Sequence, residues 1–293
     1  MKKLLGILLF ISIALSANAQ LLWKVSGKGL EKPSYIFGTY HLSPLSIKDS
    51  IAAMPQAMSE TAQVYGEVVM SEMATPAFMQ SMQQQMMMPK DTTLQSLFTP
   101  EQYEEVGKAI KENMMVDIAM LAQLKPAAIN QQLVVLLYMK HTPGFNPQEQ
   151  LDTYFQQQAA QQGKKIGGLE TAQSQIDILF NSQTLQRQAS LLYCAISDIE
   201  KGIDQSKRLI AAYEKQDLES SIKNGASCLE APFSETNPDK PIPAKGRKSL
   251  SLIRHQLHHD RLLGVETIFR LLKNFSRMGL EYLGGDFLSP VGR

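Results

Sequence analysis

Strand-forming residues gather into three short runs before position 70, and a long stretch rich in Met, Gln and Ala separates them from the next candidate strand. Leu21-Leu22-Trp23-Lys24-Val25-Ser26 and Ser34-Tyr35-Ile36-Phe37-Gly38 read as two strands joined by a turn over residues 27–33. Residues 63–69 read as a third, and residues 164–170 as a short strand or turn. Residues 50–59 look helical, with Pro55 interrupting them. Helical composition then covers 101–115, 117–124, 127–140 and 146–162, with Pro126 opening the third and Gly163 ending the last. Helical periodicity returns over 171–180 and 184–223. Strands split by a helical block exclude both an all-β and an all-helical domain. The pattern predicts an α/β (α+β) fold, a mixed β-sheet domain with a large helical insertion over about 70–162. No internal repeat occurs.

The first 19 residues read as a segment outside this fold. Lys2 and Lys3 precede an apolar run over residues 4–15, and Ala17-Asn18-Ala19 offers small residues for a cut before Gln20. That is the pattern of a secretory signal peptide over 1–19, and it predicts export to a periplasmic or extracellular space. The run is near a dozen residues, whereas a spanning helix needs about 20. No later stretch is apolar enough for a transmembrane helix. Export gives Cys194 and Cys228 two readings, a disulfide or a pair of buried thiols. Lys and Arg total 29 against 28 Asp and Glu, a net charge of +1, which disfavours nucleic acid as a partner. The oligomeric state is not written in these patterns.

The expected domain spans 20–230, and residues 231–293 read as a divergent, poorly packed tail. Pro232, Pro238, Pro241 and Pro243 break regular structure there, and Lys245, Arg247, Lys248, Arg254 and Arg261 load it with positive charge. Such a tail is expected to leave an edge of the sheet uncovered.

Chemistry concentrates at Gly38-Thr39-Tyr40-His41. A strand delivers the chain to Gly38, read as a structural turn, and His41 stands just past the strand end, where ligand sites on α/β sheets lie. Imidazole there serves as metal ligand, general acid/base or structural loop histidine. Glu67 sits in an otherwise apolar run, so its carboxylate must face solvent, pair or bind a cation. Glu170 follows Gly167-Gly168, either as a second site acid or as a helix N-terminal acid. His255, His258 and His259 lie beside Asp260, but Arg254 and Arg261 disfavour a cation among them. The Met-rich residues 70–88 read as adaptable helix packing, with an apolar or soft-metal surface as the alternative. Phosphate loops, dinucleotide fingerprints, nucleophile elbows and C-x-x-C pairs are absent from the sequence.

Taken in order, these segments resemble a known family. Leu22-Trp23-Lys24-Val25-Ser26-Gly27, Pro33-Ser34-Tyr35-Ile36-Phe37-Gly38-Thr39-Tyr40-His41, Val64-Tyr65-Gly66-Glu67, Lys125-Pro126 and Gly168-Leu169-Glu170-Thr171-Ala172-Gln173-Ser174-Gln175 resemble segments of the TraB/GumN family, which is related to the Tiki metalloproteases. The resemblance runs from 21 to about 225. It implies an α/β domain with a helical insertion and, in the Tiki branch, proteolysis dependent on a divalent metal such as Mn²⁺ or Co²⁺. His41 and Glu67 match the first G-x-x-H motif and the first acid, which implies metal-binding and catalytic roles. Glu170 matches a further acid of the catalytic set. For the Tiki branch the same resemblance implies a peptide or protein substrate; for most bacterial members it implies no particular one. The family's Arg-Asn pair and second G-x-x-H are missing here, through frameshift or divergence of the tail. The expected function is therefore an exported metal-dependent hydrolase with one of two half-sites, either active or inactivated by loss of the second. The alternative is a non-catalytic exported binding or envelope interaction protein. Residues 34–38 and 63–69 are expected in one sheet, bringing His41 and Glu67 to one cleft.

Overall fold

A computed structural model describes residues 21–27 and 31–217, and the backbone of two short strands at 262–263 and 286–290. Residues 1–19, read above as a signal peptide, Cys228 and the histidine cluster at 255–259 lie outside the described residues.

β1 (Leu22–Gly27) and β2 (Ser34–Phe37) form the expected antiparallel hairpin, with Leu22 opposite Phe37 and Val25 opposite Ser34. All four residues of β2 are buried, as befits a strand covered on both faces. α1 (Met54–Glu60) follows, and Pro55 opens it instead of interrupting it. Proline suits a first helical turn because no intrahelical acceptor awaits its missing N–H. β3 (Gln63–Gly66) then pairs in parallel with β4 (Lys165–Gly168).

Parallel neighbours need a crossover connection, and here the helical insertion is that crossover. It contains α2 (Met70–Met73), α3 (Pro76–Gln85), α4 (Pro100–Met114), α5 (Pro126–His141) and α6 (Leu151–Gln161). Thr99 and Gln102 close a capping box at the start of α4, and Met115 ends it in a left-handed conformation at φ 58°. The helix expected at 117–124 is only a 3-10 turn at Ile118–Leu121, capped by the Asp117 carboxylate, which accepts from Ala119 N at 2.9 Å. After β4 come α7 (Ala172–Asn181), α8 (Leu185–Ser197) and α9 (Ile199–Glu214).

The strands divide into a four-stranded sheet and a two-stranded one, so β2 and β3 do not share a sheet as expected. β5 (Leu262–Leu263) pairs in parallel with β2, taking the edge that β3 would have used. β5 also lies alongside β3 without a ladder between them. β6 (Asp286–Pro290) pairs antiparallel with β1, its Pro290 at the strand end where a missing donor is tolerated. Both edges of the hairpin are thus paired by strands from the tail, and the uncovered edge expected there is not found.

Two larger cores form. In the first, Leu22, Val25, Ile36 and Phe37 of the hairpin meet Ala57 of α1, Phe155 and Ala159 of α6, and Tyr213 of α9. The second lies within the helices, where Leu94, Val106, Ile110, Ile129, Leu133 and Leu192 pack together. The insertion therefore builds this second core together with α8, and only α6 reaches the sheet core with buried residues from within the insertion.

Candidate functional site

The hairpin fixes the first half of the site. Gly38 N donates to Leu21 O at 2.8 Å, extending the strand pairing by one bond, and Gly38 O accepts from the Tyr213 hydroxyl at 2.6 Å. Gly38 is thus a pinned strand end, and the turn itself falls at His41 and Leu42. Tyr40 anchors the loop behind it. Its hydroxyl meets that of Tyr138 at 2.5 Å and its ring packs on Tyr213 at 5.8 Å. Burial pushes the Tyr40 phenol well above its ordinary value, so it stays neutral.

His41 stands at the mouth of this loop with its side chain 49% exposed. Its Nδ1 lies 3.0 Å from Asp152 Oδ2, and its Nε2 lies 3.8 Å from Glu67 Oε2. Asp152 and Glu67 are both buried. Glu67 comes from the residue just after β3, and Asp152 from the first turn of α6, where the helix dipole favours an acid. The second Asp152 oxygen accepts from the Thr39 hydroxyl at 3.2 Å. Two distant parts of the chain, the bend after β3 and the first turn of α6, therefore converge on one imidazole.

Burial opposes a charge on His41, but hydrogen bonding and attraction from Asp152 and then Glu67 overcome it and push the imidazole up to about 10. The open face of the ring means that the two carboxylates, more than desolvation, set its charge. A raised histidine stabilises the fold fully below its ordinary value of 6.5, and that contribution is lost as pH rises through about 10. The ring C–H resonances of His41 are accordingly expected to titrate near 10 in a metal-free NMR series. A midpoint at the ordinary histidine value would show that neither carboxylate holds the ring.

Glu170 is placed beside Glu67 through the backbone. Leu169 N donates to Gly66 O at 3.0 Å and Glu170 N to Glu67 O at 2.8 Å, continuing the ladder past the strand ends. Its carboxylate accepts from Ser174 Oγ at 3.1 Å and Gln175 Nε2 at 3.4 Å on α7. Cys194 is half-buried on α8.

Asp152 is the residue that motif reading misses. One signal pointed to it: it is the only charged residue in Leu151–Gln161. Its partner His41 lies 111 positions away, so no local pattern joins them.

The donor set is of the right kind for a divalent cation of the Mn²⁺ or Co²⁺ type: imidazole nitrogen and carboxylate oxygen. A carboxylate on Nδ1, as Asp152 provides, is the usual support for a metal-binding Nε2. Among the described residues, no group of three or more His, Cys, Asp or Glu is spaced to hold a metal ion.

No curated protein and no solved structure matches the chain. The sequence profile of the TraB/PrgY/gumN family matches residues 21–261, further than the motif resemblance that fades near 225. That match takes in β1 to β4, the whole insertion and every residue around His41, and so the chain belongs to the TraB/PrgY/gumN family.

Proposed function

We propose that this protein is an exported hydrolase of peptide bonds that depends on a divalent metal, Mn²⁺ or Co²⁺. The observation that carries the reading is one half-exposed imidazole flanked by two buried carboxylates at a strand end. His41 Nε2 and Glu67 are the proposed ligands. An ion bound there would lower the pKa of a water molecule and polarise a peptide carbonyl. With an ion bound in place of the Nε2 proton, Asp152 would hold the remaining proton on Nδ1 and leave the Nε2 lone pair free for coordination. Glu170, adjoining Glu67 along the ladder, is the carboxylate proposed to accept a proton from the attacking water. Export rests on the signal-like residues 1–19, and among the described residues no helix is long and apolar enough to cross a membrane.

The second reading is a non-catalytic exported binding protein, favoured by the single G-x-x-H in the sequence. Purified protein assayed on a peptide library with and without Mn²⁺ separates the two. Metal-stimulated cleavage is expected, and His41→Ala is expected to reduce it by at least about 100-fold, at or beyond the top of the roughly 10–100-fold that loss of a mere outer support costs. If Mn²⁺ stimulates no cleavage, or if His41→Ala cleaves as wild type does, the enzyme reading fails.

A further inference from the structure

Gln156 lies one turn after Asp152 on α6 and is only 5% exposed. Both ends of its amide bond the chain leaving β3. Nε2 donates to Val68 O at 2.8 Å, and Oε1 accepts from Met70 N at 2.9 Å. Those two backbone groups bracket Val69, in the bend that carries the chain from Glu67 into α2. The bend has left its ladder, so its backbone groups need other partners. One side-chain amide supplies both, as a neighbouring strand would have done. The reverse orientation of the amide would set donor against donor, so the network fixes it.

The contact is close. A Cβ on Gly66 would lie 2.4 Å from Gln156 Nε2 and 3.0 Å from Val68 O. Only glycine lets the amide lie against the strand end in this way. The same face of α6 carries Asp152, Phe155, Gln156 and Ala159, all buried. Residues three and four apart share a helix face, so this face reaches the His41 loop, the sheet core and the Glu67 bend together.

We propose that Gln156 is a positioning residue that sets the separation of Glu67 from His41. Asp152 holds the imidazole, Gln156 holds the bend bearing Glu67, and the rigid turn of helix between them fixes the gap. The metal-binding part of the test rests on the proposed function; the structural part does not.

The test compares crystal structures of the wild-type chain, Gln156→Leu and Gln156→Glu, with Mn²⁺ titrations of each followed by electron paramagnetic resonance. In Gln156→Leu, Glu67 is expected to move about 1 Å or more from its place opposite His41, a displacement large enough to spoil a built site. Mn²⁺ affinity is expected to fall about 10–100-fold, as when an outer support of a ligand is removed. Gln156→Glu keeps the acceptor for Met70 N and loses the donor to Val68 O, so it should fall between the other two. A lowered melting temperature with an unchanged His41–Glu67 separation overturns the proposal and leaves Gln156 a purely structural residue. Where Gln156→Leu does not fold, Gln156→Glu decides by the same separation. A wild-type chain that binds no Mn²⁺ sinks the proposed metal chemistry, and the crystal structures then decide the positioning role alone.

Discussion

Asp152→Asn is expected to weaken Mn²⁺ binding, and metal-stimulated cleavage with it, by about 10–100-fold. The substitution keeps the shape of the side chain and removes the charge that holds His41 Nδ1 at 3.0 Å. Thr39 can still donate to the remaining carbonyl oxygen, so the loop keeps one of its two contacts with α6. His41 is half-exposed, and solvent takes up part of the lost interaction. The stability loss is therefore expected at about 1–2 kcal/mol, below the 3–5 kcal/mol of a fully buried broken pair. Isothermal titration with Mn²⁺ and urea denaturation on the same samples separate these two effects. An affinity equal to wild type would remove Asp152 from the site.

Phe155→Ala is expected to have the largest effect on stability, about 3–5 kcal/mol. Phe155 is buried on the face of α6 that meets the hairpin, with its ring edge-on to Phe37 at 5.4 Å and to Tyr154 at 5.3 Å. Its removal leaves a cavity where helix and sheet meet, and the close packing around it has few ways to collapse. Urea denaturation measures the loss directly. Because Phe155 shares its helix face with Asp152 and Gln156, Mn²⁺ affinity should fall as well, with no polar contact of the site touched. A destabilisation below about 1 kcal/mol would mean that the ring is not packed as described.

Local chemistry was readable in the sequence where neighbours along the chain decide the outcome. Leu22-Trp23-Lys24-Val25 and Ser34-Tyr35-Ile36-Phe37 announce the hairpin through aromatic and β-branched residues, and the pairing that confirms it is short in sequence. Pro126 opens α5 as expected, whereas Pro55 was read as a break and opens α1. The difference is one of position: a proline ends a helix only if residues before it are already helical, and here α1 begins at Met54. The division into two sheets was not readable, because β2 finds its second partner at 262–263 and β3 finds its own at 165–168. Such partners are chosen by the folded chain as a whole. His41 and Glu67 were found by motif and do meet, although they come from different sheets. Asp152 looks from sequence like any acid near a helix start, and Gln156 like one of several glutamines on α6. Only the folded helix face gives them distinct work.

The parallel pairing of β3 with β4 has a kinetic consequence. Its two strands are joined through the whole helical insertion, so residues paired between them lie far apart along the chain. Contacts of that range form slowly, after local hairpins and helices. His41 belongs to the early hairpin, Glu67 leaves β3, and Asp152 arrives with the last helix before β4. A nascent chain therefore holds the three groups apart until the crossover has closed, and the cluster at His41 comes into being only in molecules that have brought the whole insertion back to the hairpin.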